Sequence, residues 1–77
     1  MKLNIEKVIK VRCRVHSQDG YIPYILQGTC EEDKKKYEIE VRTTAFVADD
    51  WVFMLGIGET PVYYFFEHDN VKELPND

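Results

Sequence analysis

From residue 10 to residue 16 polar and apolar side chains alternate without exception. Val11, Cys13 and Val15 fall on one side of an extended strand, and Lys10, Arg12, Arg14 and His16 on the other. The same period returns where Lys36, Glu38, Glu40 and Arg42 interleave with Tyr37, Ile39 and Val41. Both stretches predict half-buried β-strands, so the chain is expected to organise as antiparallel strands around one small core.

Asp19-Gly20 lies between two β-rich runs and predicts a tight hairpin, because a type I′ turn needs positive φ at both central residues. A two-residue loop there places Cys13 opposite Leu26, Val11 opposite Gly28 and Ile9 opposite Cys30. A second hairpin closed by Asp33-Lys34 places Cys30 opposite Tyr37 and Gly28 opposite Ile39. Both registers turn Leu26, Gly28 and Cys30 inward, and a slip of one residue would turn apolar side chains into water. In this register Cys13 and Cys30 sit on the order of 13 Å apart along the strands, beyond the roughly 7 Å that a disulfide spans. Both are expected to be reduced core thiols.

After Arg42 the pattern loosens. Residues 43–50 read as a loop, a strand extension or a single helical turn capped by Thr43 or Thr44. Residues 51–57 and 61–67, apolar on both faces, read as two more strands joined through Gly56, Gly58 and Glu59-Thr60. Residues 70–77 read as a short turn or 3₁₀ segment, frayed from about residue 75. Residues 1–77 thus predict one all-β domain, a small five-stranded antiparallel barrel or strongly bent sheet of the SH3-like, Sm-like or OB-like sort, with at most one short helical turn. The ending Asp69-Asn70-Val71-Lys72-Glu73-Leu74 resembles the closing turn and strand of SH3 domains. The resemblance implies topology alone, since the aromatic ligand-binding motifs of that family are absent.

Size and charge narrow the function classes. A chain of 77 residues buries only about 60 to 65% of its unfolded surface, so its ten aromatic rings carry much of the core. Residues 1–42 hold nine Lys/Arg and seven Asp/Glu, a net charge of +2, whereas residues 43–77 hold one Lys and seven Asp/Glu, a net charge of −6. Affinity for phosphate comes mainly from Lys and Arg, so an acidic chain favours a protein partner over nucleic acid. The N-terminus carries charges throughout and lacks the apolar core of a signal peptide. No run approaches the roughly 20 residues that span a bilayer, and two cysteines make no disulfide framework. A soluble, cytoplasmic protein is expected, with no membrane contact.

Catalytic chemistry is thinly represented. His16 and His68 are far apart in sequence, and neighbouring side chains of Glu67-His68-Asp69 would point to opposite faces of a strand. Neither Cys-x-x-Cys nor a His pair at ligand spacing occurs, and Gly56-Ile57-Gly58 is too short for a phosphate loop and reads as a hairpin or bulge. No enzyme activity, cofactor or metal site is expected. The favoured function is a small acidic protein-binding module, an inhibitor or accessory subunit of a larger protein. By analogy, small acidic phage or mobile-element proteins inhibit host nucleic-acid enzymes by imitating phosphates. Its contact residues are expected to be Trp51, Glu59, Tyr63, Tyr64, Glu67 and Asp69, because aromatic rings in an acidic setting suit interface anchors. A homodimer through the aromatic strand would use the same surface. The alternative is a nucleic-acid-binding β-barrel in which Lys10, Arg12 and Arg14 track a phosphate backbone and Tyr21 or Tyr24 stacks on bases.

Overall fold

A computed structural model of the chain describes residues 1–11, 20–66 and 69–75. Strand β1 (Lys2–Lys10) is followed by β2 (Tyr21–Cys30) and β3 (Lys36–Thr44), then helix α1 (Ala45–Gly56), and the short strands β4 (Val62–Tyr64) and β5 (Val71–Glu73). The five strands form one antiparallel sheet in the order β4-β1-β2-β3-β5. It is a curled half-barrel, with α1 packed across β1, β2 and β3.

The period-two pattern of the central strands decides which face is buried. Along β2, Tyr24, Leu26 and Cys30 are buried, and along β3 so are Ile39 and Val41, while Glu40 and Arg42 remain exposed. Leu26, Gly28 and Cys30 therefore face inward as expected, but the registers differ. In the β2–β3 hairpin Leu26 opposes Ile39 and Gly28 opposes Tyr37, two residues away from the expected pairing. A shift of two leaves every side chain on its own face. The hairpin closes through a longer loop, in which the amide of Lys34 donates to the carbonyl of Cys30 at 2.9 Å and Lys34 adopts φ 62°.

The first hairpin departs further. Leu3 opposes Cys30 and Ile5 opposes Gly28, then the register shifts between Ile5 and Lys7, after which Val8 opposes Leu26 and Ile9 opposes Ile25. This β-bulge gives β1 one extra residue and reverses the phase of its side chains. Lys10 consequently shares a face with Tyr24 on the core side, exposed at the strand end, and Ile9 shares the outer face with Ile25. The pairing of Ile9 with Cys30 is thus overturned, and the opposition of Lys10 to Tyr24 does not fit the register that a two-residue Asp19-Gly20 loop would set. Arg12, Cys13, Arg14, His16 and Asp19 lie outside the described residues, as do Glu67 and His68. Cys30 is a free, fully buried thiol.

The largest correction concerns residues 51–57, which complete α1 and its C-cap, Ile57, rather than forming a strand. Thr44 caps the helix, its hydroxyl accepting from the amide of Val47 at 3.4 Å. At the other end Gly58 adopts φ 82°, its amide donates to Leu55 and that of Glu59 donates to Met54. This is a Schellman cap, for which glycine in the left-handed region is the favoured residue. Gly58 therefore stops a helix instead of turning a hairpin. The fifth strand comes from the tail, where Val71–Glu73 pairs with Tyr37–Ile39 along the edge of β3. The expected 3₁₀ turn in this tail is a strand.

Phe65 fills the open side of the half-barrel. It follows β4 at one edge of the sheet, is 1% exposed, and its ring lies 5.9 Å from that of Tyr37 on β3. A side chain thus bridges what strand pairing leaves open. Curvature beneath it depends on Gly28, where an added Cβ would lie only 2.0 Å from the carbonyl oxygen of Asn4 on β1. Gly28→Ala is expected to lower stability by more than about 3 kcal/mol, or to prevent folding. Urea denaturation followed by circular dichroism measures it; a loss under about 1 kcal/mol would mean that β1 does not approach β2 this closely.

Candidate functional site

Helix α1 is apolar around nearly its whole circumference, and only one side is used by the core. Ala48 is buried, and Trp51 and Leu55 pack partly buried against the sheet. At about 100° per residue these side chains share one face. Phe46, Phe53 and Ile57 point the opposite way and are 87%, 65% and 55% exposed. Val47 and Val52 extend the exposed apolar surface on either flank. A helix apolar all round normally belongs in a buried position, and α1 meets that requirement on one side only.

The expected contact residues separate into three places. Trp51 and Tyr63 meet edge to face, ring centroids 6.2 Å apart, in the seam between α1 and β4. Burial raises the phenol pKa of Tyr63, and the charge of Asp69 adds to the rise. These three residues are therefore brought near one another, although the two rings mainly serve internal packing. Asp69 is committed locally, since its carboxylate accepts from the amide of Phe66 at 2.8 Å. Tyr64 opposes Lys2 and lies on the outer face of the sheet, 73% exposed. Glu59 is exposed just past the helix cap. Glu67 lies outside the described residues.

The nucleic-acid alternative loses one of its stacking rings. Tyr24 is 6% exposed within the core and presents no face to a base, whereas Tyr21 is 46% exposed. Lys10 is exposed on the core side of the strand end, and Arg12 and Arg14 lie outside the described residues. The outer face of the sheet is charge-compensated: Lys36 pairs with Glu6 at 3.8 Å, Thr29 donates to Glu6 at 2.8 Å, and Gln27 donates to Glu38 at 2.9 Å. An open groove of about 420 Å³ on this face is lined by Ile25, Asn70, Val71 and by three carboxylates, Glu38, Glu40 and Asp69, against the one cation Lys72.

A second polar cluster occupies the β2–β3 loop. The Cys30 thiol donates to Glu32 at 3.1 Å, the Glu32 carboxylate also accepts from the amide of Lys2 at 3.0 Å, and the Tyr37 hydroxyl donates to Asp33. Burial is the main reason that the thiol pKa is raised, so Cys30 stays protonated and is a poor nucleophile. Among the described residues no Asp, Glu, Lys, Arg or His side chain is buried, and no cluster of His, Cys, Asp and Glu could hold a metal ion. No described helix is long and apolar enough to cross a membrane. The cluster ties the β2–β3 loop to the start of β1.

Phe46, Phe53 and Ile57 are the residues that sequence reasoning missed. Their signal was present: Thr44 as N-cap, Gly58 past the last turn, and helix-forming Ala, Met and Leu between them. Comparison with protein-family models, curated proteins and solved structures gives no match to this chain. The reading of the surface therefore rests on its own geometry.

The Asp33–Tyr37 contact generates a test of the loop. Hydrogen bonding to the carboxylate pushes the Tyr37 phenol up to about 12, and the same bond holds Asp33 below its ordinary 3.8. The raised phenol stabilises the fold below its ordinary 10 and loses that contribution as pH rises through about 12. The depressed carboxylate contributes above 3.8 and loses its contribution as pH falls through its lowered value. Tyrosine Cζ shifts followed by NMR against pH should show one phenol titrating near 12 in the wild type. In Asp33→Asn that phenol should return toward 10; an unchanged titration would show that the contact does not form in solution.

Proposed function

We propose that this chain is a non-catalytic protein-binding module, acting as an inhibitor or accessory subunit of a larger protein, with the outer face of α1 as its principal contact. The observation that carries this reading is the exposure of Phe46, Phe53 and Ile57 diametrically opposite the face that α1 gives to the core. Contiguous exposed apolar surface is costly in water and marks interaction sites. Phe46, Phe53 and Ile57, at i, i+7 and i+11, stand along one side of a capped helix, and a helix that presents apolar anchors along one side can seat in an apolar groove.

Three further features support the reading. The thiol of Cys30 is protonated and buried, and the described carboxylates are solvated, so neither offers an activated group. A free thiol suits the reducing cytoplasm as the place of action. The acidic second half gives the surface a charge that steers it toward basic partners and away from nucleic acid. Inhibition of the kind that small acidic phage proteins exert on host enzymes fits this combination of size, charge and exposed helix.

The full-length chain, tagged at one end, should retain a protein in stoichiometric amount from cells of its source. Phe46→Ser combined with Phe53→Ser should abolish retention while leaving the far-ultraviolet spectrum and urea midpoint unchanged, since neither ring belongs to the core. Tyr64→Ala, on the other face of the sheet, should retain the protein. Retention unaffected by the Phe substitutions would remove α1 as the contact.

A further inference from the structure

Building on the protein-binding reading, we propose that the outer face of α1 seats in an apolar groove of a partner protein whose rim carries Lys and Arg. Asp49 and Asp50 stand on either side of the Phe46–Phe53–Ile57 stripe, as the 100° step of the helix places them. Residues 43–66 hold three acidic side chains, Asp49, Asp50 and Glu59, and no Lys, Arg or His. Within residues 43–66 the surface is thus an apolar ridge with a carboxylate on each flank and no positive charge in the same segment.

Among the described residues the fold makes no use of these two carboxylates. Neither is in the first helical turn, where a negative charge would favour the helix dipole. Neither joins the ion pairs formed among the described residues, which link Lys2 with Glu31, Lys35 with Glu73 and Lys36 with Glu6. Both are exposed. Charges with no internal task that flank an apolar ridge are placed to meet opposite charges on whatever covers the ridge.

Charge also decides against a second copy as the occupant. Asp50 lies four residues after Phe46 and three before Phe53, on the edge of the stripe. A two-fold pairing of α1 with itself would bring Asp49 and Asp50 of both copies to one seam with no Lys or Arg on either helix, and like charges there are destabilising. A groove about 16 Å long, the rise of the helix from Phe46 to Ile57, accommodates the ridge. Its Lys and Arg side chains would reach Asp49, Asp50 and Glu59 at the rim.

The test uses the full-length chain with benzoylphenylalanine in place of Val52, beside the ridge, and light-driven cross-linking in cells of its source. The same group in place of Lys72, on β5, is the control. The protein captured from Val52 alone is then purified and titrated calorimetrically with the unmodified chain. The expected result is equimolar binding that weakens as salt rises and falls about 30-fold or more with Phe46→Ser/Phe53→Ser. Asp49→Lys/Asp50→Lys should weaken it about 5- to 10-fold, with helix content of each variant checked by circular dichroism. Binding that depends on Phe46 and Phe53 but ignores salt and the Asp substitutions overturns the basic rim and leaves the protein-binding reading standing. An adduct between two copies of this chain overturns the proposal in favour of self-association. No adduct specific to Val52, or binding that ignores the Phe substitutions, overturns both.

Discussion

The approach of one backbone to another at Gly28 is the constraint on which the rest of the structure depends. The carbonyl of Asn4 occupies the space that a side chain on the middle strand would need. Only glycine lets β1 fold in so closely over β2. With β1 drawn inward, the sheet curls enough for Leu3, Ile5, Leu26 and Ile39 to converge, and for Phe65 to reach across from the β4 side to Tyr37. The bulge that follows Ile5 re-phases the remainder of the strand.

That curl explains why a single helix suffices. A half-barrel with an aromatic plug needs few further apolar side chains to complete its core, and α1 supplies Ala48, with Trp51 and Leu55 at the margin. The helix nevertheless carries apolar residues on its far side, which the sheet cannot reach. An excess of apolar surface in a domain this small costs stability without return inside the chain. Its persistence beside unpaired carboxylates is the reason to look for function on α1 rather than on the sheet, whose outer face is occupied by its own ion pairs and hydrogen bonds.

Parts of this architecture were legible in the chain. Alternation in β2 and β3 identified their inward residues correctly, because burial on one face imposes a period of two that no other element shares. The register was not legible: the β2–β3 hairpin can slide by two residues without exposing any side chain, and its loop geometry, with Lys34 in the left-handed region, is not announced by composition. In β1 the bulge at Glu6 and Lys7 has no local signature, so Ile9 and Lys10 lie on the faces opposite to those that the alternation predicts. For residues 51–57 a continuous apolar run fits a buried strand and a helix equally well until the caps at Thr44 and Gly58 are weighed together. The candidate surface shared this fate, because reading a helix as a strand placed Phe53 and Ile57 in a sheet instead of on an exposed ridge.

By itself, the sequence determined a small, mostly β domain, the inward face of its central strands and the segregation of negative charge into the second half. These follow from residue type and short-range periodicity, which need no knowledge of what lies across the core. Tertiary structure alone decided how the strands register, that Trp51 and Tyr63 serve as packing while Phe46, Phe53 and Ile57 meet solvent, and that Tyr24 is buried. The physical reason is that exposure is a property of the neighbour and not of the residue. An apolar side chain is core or contact surface according to whether the rest of the chain can curl far enough to cover it.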